Sequence, residues 1–426
     1  MIIHVVSYGE SLYSVAAYYG VSVLRLAYDN GLRADSPLVI GQALIVMLPS
    51  VTYTIKQGDS LTSIAENYGI TANRLLQYNP SLINSDSLPV GTDITVKFRG
   101  EKAGSIETLG YAYPYINRNT LKTALTYLTY IAVFSYGFKD SGELIVPDDD
   151  EILRLASQYS TVPVMVLTTI GGNGGFSTEK ATSLFYDADF RDKVLDNIIM
   201  TMINKGYKML DVDFEYIAPE DKEAYIGFLR AAKEKLRRRG LMLSVDLAPK
   251  TYAEQPGLLY EAHDYERIGE IADQVLLMTY EWGYTYGPPM AVAPLNQVRY
   301  VIEYGVSEID SDKIFMGIPN YGYDWTLPYE KGTSRAQSIG NQTAVQRALQ
   351  NNTVIDFDSY AVSPYYYYEA DQREHIVWFE DVRSIEGKLN LRDEFSLKGI
   401  GYWNVMRPFM QNYLYVASTY DIIKKT

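Results

Sequence analysis

The chain of 426 residues contains no cysteine. Disulfides, thiolate metal sites and cysteine nucleophiles are therefore excluded. Histidine is scarce: His4, His263 and His375 stand far apart in sequence. A histidine-built zinc site or a serine–histidine triad fits such a sequence poorly, and no metal or other cofactor is expected. No apolar run is long enough to span a bilayer. The start, "MIIHVVSYGES", has no charged segment leading into a long apolar one, so no cleavable signal peptide is expected. Positive charge is also short, with 38 Lys and Arg against 52 Asp and Glu, a formal net charge of −14. A surface of that sign repels phosphate backbones, which argues against nucleic acid as a partner.

Hydrophobic residues make up 47% of the chain, enough for a large core. The length exceeds one ordinary core and implies two or three domains. With cysteine absent and histidine scarce, chemistry falls mainly to carboxylates and tyrosines. The 39 tyrosines offer flat apolar faces with polar tips, suited to sugar rings and to ordinary packing alike.

The first hundred residues hold a repeat. "HVVSYGESLYSVAAYYGVSVLRLAYDNGL" and "YTIKQGDSLTSIAENYGITANRLLQYNPSL" align Gly9 with Gly58, Leu12 with Leu61, Gly20 with Gly69 and Asn30 with Asn79. Each copy predicts a strand, a helix opened by Ser11 or Ser60 and closed by a glycine, a second helix capped by Ser22 or Thr71, and a final strand. A duplicated structural unit without a ligand would satisfy this pattern. The two stretches nevertheless resemble LysM modules, assigned here to residues 1–49 and 50–98. The resemblance implies binding of N-acetylglucosamine-containing glycans in a groove between the first turn and the loop after the second helix. By position that groove would involve Gly9, Glu10, Ser11, Leu12 and Asn30 (with Gly31 and Leu32) in the first copy. In the second it would involve Gly58, Asp59, Ser60, Leu61, Asn79 and Pro80 (with Ser81 and Leu82). A short linker is expected over 99–106.

From residue 107 to 426 short apolar runs alternate with amphipathic stretches such as "PEDKEAYIGFLRAAKEKLRRRG". The runs fall at 108–115, 130–138, 162–172, 209–217, 241–249, 273–282, 313–322 and 398–405. Eight evenly spaced strand–helix units predict an α/β fold, a (β/α)₈ TIM barrel, with a doubly wound sheet as the alternative. The gap between the seventh and eighth strands is too long for one helix. It predicts a small insertion over roughly 324–377, beside the barrel mouth.

One run, "MLDVDFEYI", carries three acids. Alternate residues of a strand share a face, so Asp211, Asp213 and Glu215 point together while Val212 and Phe214 point away. Valine and phenylalanine suit the helix side of a barrel strand. The acids then line the interior and rise towards the C-terminal mouth, where barrel enzymes keep their sites. Same-face neighbours lie roughly 7 Å apart. Carboxylates that close and partly dry raise one another's proton affinity, which is how a Glu stays protonated to act as a general acid. Structural ion pairs would be the alternative, but no base is evident on the neighbouring interior faces.

"LDVDFE" resembles the D-x-x-D-x-D-x-E signature of glycoside hydrolase family 18. "TTIGG" (168–172) resembles its S-x-G-G motif, "MTYEWG" (278–283) its M-x-Y-D motif, and "GYWNV" (401–405) places a tryptophan at the end of the eighth strand. Lys208 and Met209 replace the first Asp and Gly of the signature, Thr169 replaces the serine, and Glu281 replaces the aspartate. The resemblance implies a retaining hydrolase working by substrate-assisted catalysis, with Glu215 as acid and base. Asp213 would hold the acetamido N–H, Asp211 would tune Asp213, and Tyr280 would donate to the acetamido oxygen. Trp403 would floor the sugar, with Tyr111, Glu281 and Asn320 as sugar contacts.

With the two LysM modules, the chain is similar to spore-cortex-lytic N-acetylglucosaminidases of spore-forming bacteria. That implies a peptidoglycan or other N-acetylglucosamine-containing partner, a place in the spore coat, cortex or cell wall, and a monomer. A chitinase and a non-catalytic lectin on the same barrel are the competing readings. Retention of Glu215, Asp213, Asp211 and Tyr280 favours an enzyme.

Overall fold

The computed structural model describes residues 1–170 and 175–425. Its centre is a barrel of eight parallel strands: β1 (Gly104–Ala112), β2 (Tyr130–Phe138), β3 (Val162–Thr168), β4 (Met209–Asp213), β5 (Met242–Leu247), β6 (Gln274–Leu277), β7 (Ile314–Pro319) and β8 (Gly399–Trp403). Each pairs with its neighbour in sequence. β8 pairs with β1 and closes the ring, which rules out a doubly wound sheet. β1 begins inside the stretch expected as linker.

Alternation along the strands divides the apolar side chains into two layers. Tyr111, Tyr130, Ala132, Val166, Met209, Leu276 and Phe315 fill the barrel interior. Leu210, Val212, Val245 and Val275 belong to the larger layer between strands and helices. The helix Lys222–Arg237 shows why the amphipathic stretches pack as they do. It buries Tyr225, Phe228, Leu229, Ala232 and Leu236. Glu223 in its first turn and Lys235 and Arg237 in its last complement the helix dipole. The C-terminus ties off the barrel bottom, where Lys425 meets Glu107 at 2.8 Å.

The insertion is a five-stranded antiparallel sheet, starting at Tyr321 directly beyond β7 and ending at Trp378, with one helix, Asn341–Gln350. Asp324 is its polar pivot, taking hydrogen bonds from Tyr368 at 2.6 Å and from Arg347, and lying 3.0 Å from His375.

Both N-terminal modules fold as strand, helix, helix, strand. Ser11 and Ser60 each make a capping box. Gly20 and Gly69 take φ +68° and +65°, the left-handed conformation that ends a helix without a Cβ clash. The modules are packed on the barrel and on each other. Arg25 of the first pairs with Asp29 at 2.6 Å and donates to Tyr78 O and the Asn79 side chain of the second. Gln77 donates to Thr126 O, Tyr127 donates to Gln77 O, and Arg74 pairs with Asp421 at 2.7 Å. No helix among the described residues is long and apolar enough to cross a membrane.

Candidate active site

Strand β4 positions the acids as alternation requires. Asp211 and Asp213 are buried inside the barrel. Strand pairing ends at Asp213, four residues short of the apolar run, and Glu215 stands half-buried just beyond it. Between them Phe214 points outwards into an aromatic cluster, 5.5 Å from Phe228 and 6.2 Å from Tyr225. That anchor fixes the backbone so that Asp213 and Glu215 face the cleft. His263 braces the same turn. It accepts from Ala248 N–H at 2.9 Å and lies 3.2 Å from Phe214 O. Burial pushes its pKa down to about 4, so it is neutral and ties the end of β4 to the end of β5.

A fourth acid joins the three. β5 runs beside β4 in register, Val245 opposite Val212, so Asp246 stands beside Asp213. Tyr111 from β1 reaches both acid-bearing strands. Its hydroxyl lies 2.9 Å from Asp211 Oδ2 and 2.7 Å from Asp246 Oδ1. Burial pushes Asp211 up to about 6. Burial, then the Glu215 and Asp211 charges, push Asp213 well above the carboxylate range. Asp246 rises likewise through burial and the charges of Asp211 and Asp213. Glu215 is raised to about 7 by burial and then by Glu281. Among the described residues no basic side chain is a cause of the shift in any of the four, which argues against the ion-pair alternative.

Asp213, Glu215, Asp246, Tyr280, Met278, Tyr260 and Trp403 line one cleft of about 320 Å³ at the barrel mouth. Tyr280 follows β6, and its ring lies over Gly317 of β7. A Cβ there would come within 2.6 Å of the ring and 2.8 Å of Leu277 O, so only glycine leaves room. Trp403 ends β8, edge-on to Phe134 at 4.9 Å and Tyr111 at 5.7 Å between centroids. Glu281 takes φ +68°. It accepts from Tyr321 and, at 3.1 Å, from Tyr323, so the inserted sheet holds it. A second pocket of about 240 Å³, containing Asn320, shares Tyr113, Glu281 and Trp403 with the cleft.

Two groups of expected contacts stand elsewhere. Tyr111 is 1% exposed and braces the carboxylates from below, so it does not reach a sugar hydroxyl in the open cleft. In the modules, Asn30 and Asn79 are buried and saturated. Asn30 bonds to Leu26 O, Ile45 O, Ile45 N–H and Gln411. Asn79 makes the matching set with Leu75 and Thr95. Leu12 and Pro80 are buried, Leu61 half-buried. Glu10 and Asp59 brace their own turns through the N–H groups of Ser7 and Lys56 at 2.7 Å. Gly9, Ser11, Gly58 and Ser60 remain exposed, although both serines serve as caps. Of "TTIGG", Thr169 is buried, while Gly171 and Gly172 lie outside the described residues.

Sequence reasoning missed Asp246, His263 and the aromatic wall of Phe134 and Tyr113. Asp246 had a signal: "LSVDL" carries its acid in the same alternation as β4. His263 had none, because a lone histidine in a loop shows no partner until the chain folds.

Residues 107–407 match the family described as glycosyl hydrolases family 18, and residues 4–46 and 53–97 match the LysM domain. The chain belongs to glycosyl hydrolase family 18. This family 18 glycosidase is 42% identical over 328 residues to a cortical fragment-lytic enzyme of Bacillus subtilis, covering 75% of this chain and 76% of that one. It is 38% identical to the cortical fragment-lytic enzyme of Bacillus anthracis over 98% of both chains. The crystal structure of the Bacillus cereus spore cortex-lytic enzyme SleL superposes with a TM-score of 0.85 at 38% identity, covering 100% of this chain and 99% of that one. A Chromobacterium violaceum chitinase, 21% identical with a TM-score of 0.67, shares the barrel fold over 73% of this chain and 98% of its own.

Proposed function

We propose that this glycosidase cleaves β-1,4 bonds after N-acetylglucosamine in spore-cortex peptidoglycan, with the anomeric configuration retained. The observation that carries the reading is the placing of Glu215. It is the outermost acid of the β4 row, lines the cleft, and is pushed up to about 7, so a substantial share of it keeps its proton near neutral pH and can donate. Its proton goes to the glycosidic oxygen. The substrate's acetamido oxygen attacks C1 as the C1–O bond breaks, giving an oxazolinium ion, and the leaving sugar departs with the proton. Glu215, now a carboxylate, takes a proton from water as that water opens the ring. No enzyme nucleophile is required, as is known for this family.

Asp213 would accept the acetamido N–H and balance the cation. One Asp213 oxygen is buried without a protein partner, as an atom reserved for substrate would be. Asp211, Asp246 and Tyr111 would share the proton that Asp213 releases. Tyr280 would align the acetamido oxygen by a hydrogen bond. Trp403 would carry the apolar face of the sugar, with Asn320 and Glu281 at its edge. The exposed turns at Gly9–Ser11 and Gly58–Ser60 would meet the glycan and keep the enzyme on cortex or cell wall, with both modules adding to retention. NMR of the first products tests the mechanism. A β-anomer at the new reducing end is expected, and an α-anomer would exclude the oxazolinium route.

A further inference from the structure

Arg407 lies four residues beyond Trp403 and lines the second pocket. Its guanidinium is half-buried and donates to Ser338 Oγ at 3.1 Å and Ser338 O at 3.4 Å. Both partners are neutral. The acid of the same pocket, Glu281, accepts from the hydroxyls of Tyr321 and Tyr323 and raises Glu215 across the shared edge. Among the described residues, the charges that act on Arg407 are those of Tyr323 and Tyr321 in their ionised forms, which do not exist near neutral pH. A partly dried guanidinium without a counter-ion is costly, the more notable in a chain of net charge −14.

The rest of the pocket suits a sugar. Tyr113 and Tyr115 stack at 5.3 Å and 22°, and Tyr115 is 77% exposed, which offers a flat apolar platform. Asn320 Oδ1 is buried without a partner and can accept from a hydroxyl or an amide N–H.

We propose that this pocket takes the muramic-acid residue beside the scissile N-acetylglucosamine, and that Arg407 selects for it by pairing with a carboxylate. The inference rests on the peptidoglycan reading above. Peptidoglycan alternates N-acetylglucosamine with N-acetylmuramic acid. Whichever way the glycan runs through the cleft, the sugar one place along from N-acetylglucosamine is therefore muramic. Its lactyl ether ends in a carboxyl group, free or extended by a peptide that carries its own carboxylates. Chitin places a neutral N-acetylglucosamine there. The planar guanidinium fork matches a carboxylate with two parallel hydrogen bonds, a geometry that lysine cannot copy.

The test compares wild type, Arg407→Gln and Arg407→Lys as full chains on oligosaccharides of equal length. Four substrates are needed: alternating glycans with free lactyl carboxylates, the same with peptide stems, the same with the carboxyl closed as a lactam, and chitin oligomers. The ratio of kcat/KM on a carboxylate-bearing glycan to that on chitin should fall by about tenfold in Arg407→Gln, mostly through KM. Arg407→Lys should recover part of it, and the lactam glycan should behave as chitin does. Loss on the free lactyl glycan identifies the lactyl carboxylate as the anion. Loss on the stem-bearing glycan alone identifies the stem carboxylates. An unchanged ratio on both overturns the proposal. Binding isotherms of the alternating glycans to Glu215→Gln, with and without Arg407→Gln, keep the two readings apart. If the wild type cut none of the alternating glycans, the peptidoglycan reading would fall, and these isotherms would still decide whether Arg407 senses the carboxylate.

Discussion

The hydroxyl of Tyr111 stands 2.9 Å from Oδ2 of Asp211. A phenol has one proton to donate, and the same hydroxyl is 2.7 Å from Asp246. If it donates to one carboxylate, the other contact needs a protonated carboxyl as donor. The pair therefore holds a proton in the barrel interior, in agreement with the upward shifts of both acids. Tyr111→Phe removes a donor to an ionised carboxylate, which raises the proton affinity of the cluster. The acidic limb of the kcat/KM profile should move to higher pH, which a pH–rate series measures.

In the proposed mechanism Glu215 starts the reaction in its protonated form. With its pKa near 7, kcat/KM should fall as pH rises through that value. Glu281 is the second cause of the shift, after burial. Replacing its charge in Glu281→Gln favours ionisation of Glu215, so the basic limb should move to lower pH. A limb that stayed in place would remove Glu281 from the electrostatics of the acid.

Glu215→Gln should lose about 10²–10⁴-fold in kcat and keep its affinity for oligosaccharides. The same variant tests stability. Because the folded pKa of Glu215 is raised above its unfolded value, the folded state holds the proton longer. Stability is then lost as pH rises from about 4.5 to about 7, and the loss is complete above that. Gln does not titrate. Calorimetry should find the variant's Tm raised over wild type at pH 8 and little changed at pH 4.

Gly317→Ala puts a methyl group within 2.6 Å of the Tyr280 ring. The backbone carbonyl of Leu277 blocks the other side, so the ring must move. Misplacement of an aligning group by about 1 Å costs on the order of a hundredfold in rate. We expect kcat to fall by that order while circular dichroism stays native.

The LysM modules cover Tyr127 and Gln411 of the barrel, and the latter donates to Asn30 and Ala43 O. Deleting residues 1–98 strips these partners and exposes a buried tyrosine. The truncated barrel should melt at a lower temperature than the full chain and bind sacculi less well. An equal Tm would mean that the interface contributes nothing to folding.

The barrel was legible because its strands are short apolar runs at even spacing, and the acid row because alternation is a strict rule. Asp211, Asp213 and Glu215 share a face for the same reason that Val212 and Phe214 share the other. The support around them was not legible. Asp246 meets Asp213 only once β5 is in register, and Tyr111 is pulled beneath both by closure of the ring. Asn30 and Asn79 sit where a binding loop was expected, yet each is consumed by backbone groups of its own module. A motif shows which residues recur, and only the fold shows which of their hydrogen bonds are already taken.

The most direct measurement is the identity of the reducing-end sugar in soluble fragments released from purified cortex peptidoglycan, read by borohydride reduction and mass spectrometry. Reduced N-acetylglucosamine is expected at every new end, released at least about a hundredfold more slowly by Glu215→Gln. Reduced muramic acid at those ends would contradict it.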